Sequence, residues 1–87
     1  MEINKDDYDI ISIDFNDMEQ FYKLHKKTAK DDLYGINHQT FNITYIKNVI
    51  DVLGTDVTIY QPKSDIRPLY IENKNNEKGI ILPVKKY

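Results

Sequence analysis

The apolar and polar positions of this chain divide it into alternating short-period and long-period stretches. Residues 9–15 (DIISIDF) set Ile10 or Ile11, Ile13 and Phe15 between polar neighbours, the period-2 pattern of a strand. From Asn16 the spacing changes. Asn16 is placed to cap a helix reaching about residue 30, with Glu19 at the third helical position able to reach back to the cap. Met18, Phe21 and Tyr22, extended by His25 and Ala29, make the inward stripe of that helix. The stretch KDDLYGINHQT has no period and reads as a loop or a single short strand.

A second helix is better marked. Asn42 is its cap, Phe41 and Ile46 are spaced for a hydrophobic staple, Ile46, Val49, Ile50 and Leu53 form a buried stripe, and Gly54 supplies a left-handed end. Strands follow at 57–61, 66–72 and 80–85, separated by the turns PKSD and NKNNEKG. Strand, helix, helix and a three-stranded meander predict an α+β fold, with the helices covering one face of a mostly antiparallel sheet. Phe15-Asn16 and Phe41-Asn42 form a faint internal echo at the two helix entries, which chance also explains because Asn caps helices anywhere. Pro68 and Pro83 interrupt the last two apolar runs, which marks edge strands or a surface where something other than a strand docks.

Composition narrows the classes. With 87 residues, 40% of them hydrophobic, 30% charged and a net charge of -2, the chain predicts one small domain with a thin core and no overall basic character. The absence of cysteine excludes disulfides and thiolate metal sites and fits a reducing cytoplasm. The opening MEINKDDYD is too acidic for a signal peptide, and no apolar run approaches the ~18 residues of a membrane span. A cytoplasmic protein that self-associates, with no membrane contact, is the expectation.

Candidate chemistry is sparse. His25 and His38 stand in no metal-binding or triad-like setting, and with three glycines there is no phosphate-cradling loop. The clusters Asp6-Asp7-Asp9 and Asp31-Asp32 lack the ordered spacing of a calcium loop and read as solvated charge. We therefore expect no catalytic residue, no metal, no cofactor and no enzymatic activity. Lys23, Lys26, Lys27 and Lys30 recur along one helical face, a pattern that suits phosphate contact with duplex DNA but more often marks an ordinary solvated face. Ile66, Leu69, Ile80, Leu82 and Val84, with Pro68, Pro83 and Tyr45, either line a groove for a short peptide or form the core of a small sheet.

Residues 41–87 resemble the last portion of the bacterial DNA polymerase sliding clamp, the β subunit of the replicative polymerase. The likeness runs through a helix opening FNxxY, a V-x-I strand, an IRPLYI strand and a closing ILPVKKY. It implies a DNA-clamp-like fold shortened relative to a full clamp domain, with 1–40 a divergent strand-helix unit and 41–87 the clamp-like helix and meander. It further implies that Asn42, Tyr45, Ile66, Pro68, Ile80, Leu82, Pro83, Val84 and Lys85 bind partner peptides, and that Lys23, Lys26, Lys27, Lys30 and Lys47 face DNA. Lys85 stands where the family usually has arginine, which keeps the charge and loses the planar fork. The implied function is that of a processivity factor or clamp module in DNA replication that binds polymerase or other clamp-binding proteins, as a homo-oligomer around double-stranded DNA. A regulator that mimics the terminal clamp surface without enclosing DNA, or an inactive relic domain, are the alternatives.

Overall fold

A computed structural model describes residues 5–25 and 33–84. After a single 3-10 turn the order is β1 (Tyr8–Ile11), α1 (Phe15–His25), β2 (Leu33–Ile36), β3 (Gln39–Asn42), α2 (Ile43–Leu53), β4 (Val57–Pro62), β5 (Leu69–Asn73) and β6 (Lys78–Ile81). The strands form a four-stranded sheet in the order β1-β4-β5-β6 and a separate β2-β3 hairpin, with every pairing antiparallel. The fold is α+β, as the hydrophobic pattern predicts.

Alternation decides which sheet face is dry. Ile59, Gln61, Leu69, Ile71 and Ile81 are buried and meet Met18 of α1, Ile43, Ile46 and Ile50 of α2, and Phe41 of β3 in one core. The cap of α2 is as expected: Asn42 has an extended backbone and its side-chain oxygen accepts from the Thr44 N–H at 2.9 Å. Phe41 and Ile46, the staple pair, are both fully buried. Because β3 runs into α2 with no intervening residue, Asn42 ends the strand and caps the helix at once. α2 presses onto β6 at Gly79, where a Cβ atom would lie 2.6 Å from a Val49 methyl.

Several boundaries differ from expectation, each for a local reason. The first strand stops at Ile11, and α1 starts at Phe15, because Asp14 and not Asn16 makes the cap. Asp14 accepts from the Asp17 N–H through its side chain and from the Met18 N–H through its carbonyl. The Phe-Asn echo is thus no structural equivalence: Phe15-Asn16 lies inside a helix and Phe41-Asn42 ends a strand. The aperiodic stretch holds two strands, turned at Asn37 and His38 with Asn37 at a φ of 55°. Gly54 has a φ of 87° but a ψ of -178°, so it leaves the helix in an extended direction and closes it through its N–H on the Ile50 carbonyl.

β5 begins at Leu69, not at 66, and β6 spans Lys78–Ile81 where 80–85 was expected. Pro68 and Pro83 therefore stand just outside the paired strands, where a missing N–H costs nothing. Pro62, assigned to the turn by its sequence, instead closes β4 opposite Tyr8. The early start of β6 follows from the Asn73 side chain, which accepts from the N–H groups of Asn75 and Glu77 and tightens the turn. Lys26, Lys27, Ala29, Lys30 and Lys85 lie outside the described residues.

Candidate functional site

The β5-β6 register fixes the terminal surface. Tyr70 pairs with Ile80 and Leu69 with Ile81, so Pro68 and Leu82 flank the last paired rung. Ile66, Leu82 and Ile80 are 70%, 68% and 45% exposed, bare aliphatic side chains of a kind the chain also carries at Ile10, Leu24 and Val52. Beyond Leu82 the backbone turns to the hairpin, and the Val84 N–H donates to the Thr40 carbonyl at 2.8 Å. That bond sets residue 84 alongside β3, two residues before Asn42. The exposed Tyr45 ring follows in the first turn of α2. Pro83 is half-buried between Leu82 and Val84. Asn42 has a structural duty, since its side-chain oxygen already holds the helix cap.

Ile66 and Pro68 sit on the connection between β4 and β5, and the hairpin turn anchors that connection. Gln39 is buried, and its amide donates to the carbonyls of Arg67 at 2.9 Å, Asp65 at 3.3 Å and Ser64 at 3.4 Å. His38 bonds through Nε2 to the Pro62 carbonyl at 2.9 Å and lies 3.7 Å from an Asp65 carboxylate oxygen. The buried Gln61 donates to the Ile36 carbonyl and to Gln39 Oε1, and accepts from Asn37. At the other rim Arg67 pairs with Asp7 at 3.3 Å, and the Lys63 N–H donates to the Asp7 carbonyl.

The outer face of the sheet adds a feature that sequence reasoning left out. Register places Ile10, Tyr60, Tyr70 and Ile80 in one row across all four strands, on the side away from the helices. The Tyr8 ring meets Tyr70 edge to face at 5.3 Å, and burial, followed by its hydrogen bond with Tyr70, raises the Tyr8 pKa. The signal was present in VTIYQP and LYIEN, where each outward tyrosine follows or precedes a buried isoleucine or leucine. Amphipathic tyrosines of this kind are enriched where proteins meet partners.

Of the lysines expected to face DNA, Lys23 and Lys47 lie among the described residues. Lys23 is exposed on α1. Lys47 is engaged: it pairs with Asp51, lies 3.5 Å from Glu19 and 5.7 Å from the centre of the Tyr22 ring, and its side chain is only 16% exposed. The bond to Asp51 is the main cause that raises its pKa.

Among the described residues no cluster of three His, Asp or Glu side chains is placed to hold a metal ion, and no helix is long and apolar enough to cross a membrane. An open depression of about 440 Å³ lies among Asp56, Thr58, Tyr60, Glu72, Asn73 and Lys74, away from every predicted peptide contact. Comparison with protein-family models, curated proteins and solved structures finds no match for this chain.

Proposed function

We propose that this chain is a non-enzymatic, clamp-like binding module of DNA replication that holds short partner peptides on its terminal-strand surface. The observation that carries the reading is the exposure of Ile66, Ile80 and Leu82 beside Pro68, in the stretch that resembles the sliding clamp. An exposed aliphatic cluster between ordered backbone segments suits one or two large anchor side chains. A stable interface between folded proteins takes about 800 Å² and 20–30 residues a side, more than these few residues offer, so a short segment is the better fit. Titration of a labelled clamp-binding peptide tests this. Saturable binding lost in Leu82→Asp supports it, and indifference of the peptide to the wild-type protein sinks it.

Enclosure of DNA by an oligomer is the fuller version of this function. The engagement of Lys47 by Asp51 and Glu19 favours a second reading, a regulator that presents the terminal surface to polymerase or to another clamp without encircling a duplex. Light scattering coupled to size exclusion separates the two. A multimer of fixed stoichiometry supports the ring, whereas a monomer over the whole concentration range supports the regulator.

A further inference from the structure

The β4-β5 connection runs through residues 63–68, is rich in polar residues and contains no regular element. Such a segment is normally mobile, and ordering it on binding would cost roughly 0.5–1.5 kcal/mol for each rotamer-rich side chain. Here its carbonyls are already occupied. The two amide hydrogens of Gln39 serve the carbonyl of residue 67 at 2.9 Å and, shared, those of residues 65 and 64 at 3.3 and 3.4 Å, and His38 bonds that of residue 62, from consecutive positions of a tight turn. Gln39 has no other rotamer open to it without stranding a buried amide, since it is 3% exposed and its oxygen accepts from Gln61. Backbone shape is thereby transmitted from the core to the exposed rim. Ile66 stands 70% exposed between the two bonded carbonyls of Asp65 and Arg67, so its direction is set by bonds on either side of it.

We infer that Gln39 is a positioning residue that holds the 63–68 segment in advance as one wall of the docking surface, for an extended peptide with aliphatic or aromatic anchors. This rests on the peptide-binding reading above. No contact of Gln39 with the peptide is involved: it acts through the backbone that carries Ile66 and Pro68. His38 secures the start of the same segment, and Arg67 with Asp7 its opposite rim.

Gln39→Met tests the assignment, because it keeps volume and chain length and removes the donors. Hydrogen exchange is read first. The amides of Lys63 and Ile66, which donate to the Asp7 carbonyl and to Ser64 Oγ, should exchange at least about tenfold faster once the segment is released, while those of α2, β4 and β5 keep their protection. Affinity for a labelled peptide of six to eight residues carrying leucine and phenylalanine should fall by roughly tenfold, with the loss appearing as a more unfavourable binding entropy. Ile66→Ala is the companion variant, expected to weaken the peptide and leave exchange of the segment unchanged. Unchanged exchange in Gln39→Met overturns the tether whatever the peptide does. Faster exchange with unaltered affinity overturns its role in docking. If the wild-type protein binds no such peptide, the functional reading fails together with the docking role, while the exchange result still decides the tether. Should Gln39→Met unfold, His38→Phe, which removes the bond to the Pro62 carbonyl and the contact with Asp65, is read in the same way at the amides of Lys63 and Ile66.

Discussion

Gly79 is where the packing of α2 on the sheet is most exposed to a test. It pairs with Ile71 in the middle of the β5-β6 ladder and faces the helix, and a Cβ built on it lies 2.6 Å from Val49 Cγ1 and 3.3 Å from Leu53 Cδ1. Carbon atoms rest about 3.5–4.0 Å apart, so Gly79→Ala demands close to 1 Å of movement at Val49. Leucine ends give way easily, but a helical valine is held in one χ1 rotamer about 90% of the time. The methyl group must therefore tilt α2 or force Val49 off its rotamer. Overpacking of this kind costs about 1–3 kcal/mol, and the loss of glycine's freedom in the unfolded chain offsets about 0.4–1 kcal/mol. We expect a net loss of about 1–2 kcal/mol, which for a domain of this size lowers Tm by roughly 4–15 °C. Urea and thermal unfolding followed by circular dichroism measure it. Val49→Ala in the same chain should recover much of the loss, giving a coupling of about 0.5 kcal/mol or more in a double-mutant cycle. A Tm for Gly79→Ala equal to or above that of the wild type would refute the close helix-on-sheet contact.

Two further expectations concern the ends of the helices and the hairpin. Asn42→Ala removes the acceptor for the Thr44 N–H and should cost about 1 kcal/mol, with Asn42→Asp close to wild type in the same unfolding assay. Burial, and then the hydrogen bond it donates to Asp17 at 2.8 Å, push Tyr34 up to about 12. Its folded pKa thus lies above the unfolded value near 10, so the folded state keeps this proton while the unfolded state loses it. Stability from Tyr34 is whole below pH 10 and declines between pH 10 and about 12. Absorbance titration at 295 nm should show a late-ionising tyrosine that Tyr34→Phe abolishes.

Legibility of the fold tracked how local the determining interactions are. α2 was readable because cap, staple and stripe all lie within twelve residues of one another, and each is used as its chemistry suggests. The start of α1 was misread by two residues because Asp14 and Asn16 are both good caps, and the choice falls to where Ile13 and Met18 must be buried. The β2-β3 hairpin was hidden because Asn37-His38 lacks the glycine that usually marks a two-residue turn. The site was readable in part. Spacing left the terminal apolar residues open between groove and sheet core, and the structure leaves Ile66, Ile80 and Leu82 exposed, but the strand drawn through 66–68 was wrong. Its carbonyls bond a glutamine more than twenty residues upstream, a partner no local pattern names.

The direct passage from β3 into α2 bears on how this chain can change length. With no spacer between Phe41 and Ile43, one inserted residue would turn the whole helix by about 100° relative to the strand and swing Ile46 and Ile50 out of the core. In the exposed 74–77 turn added residues would break the bonds to Asn73 but leave the helix and the core where they are. Descendants of this sequence should accumulate insertions at the turn and none at the junction, so that Phe41, Asn42 and Ile43 behave as one indivisible joint.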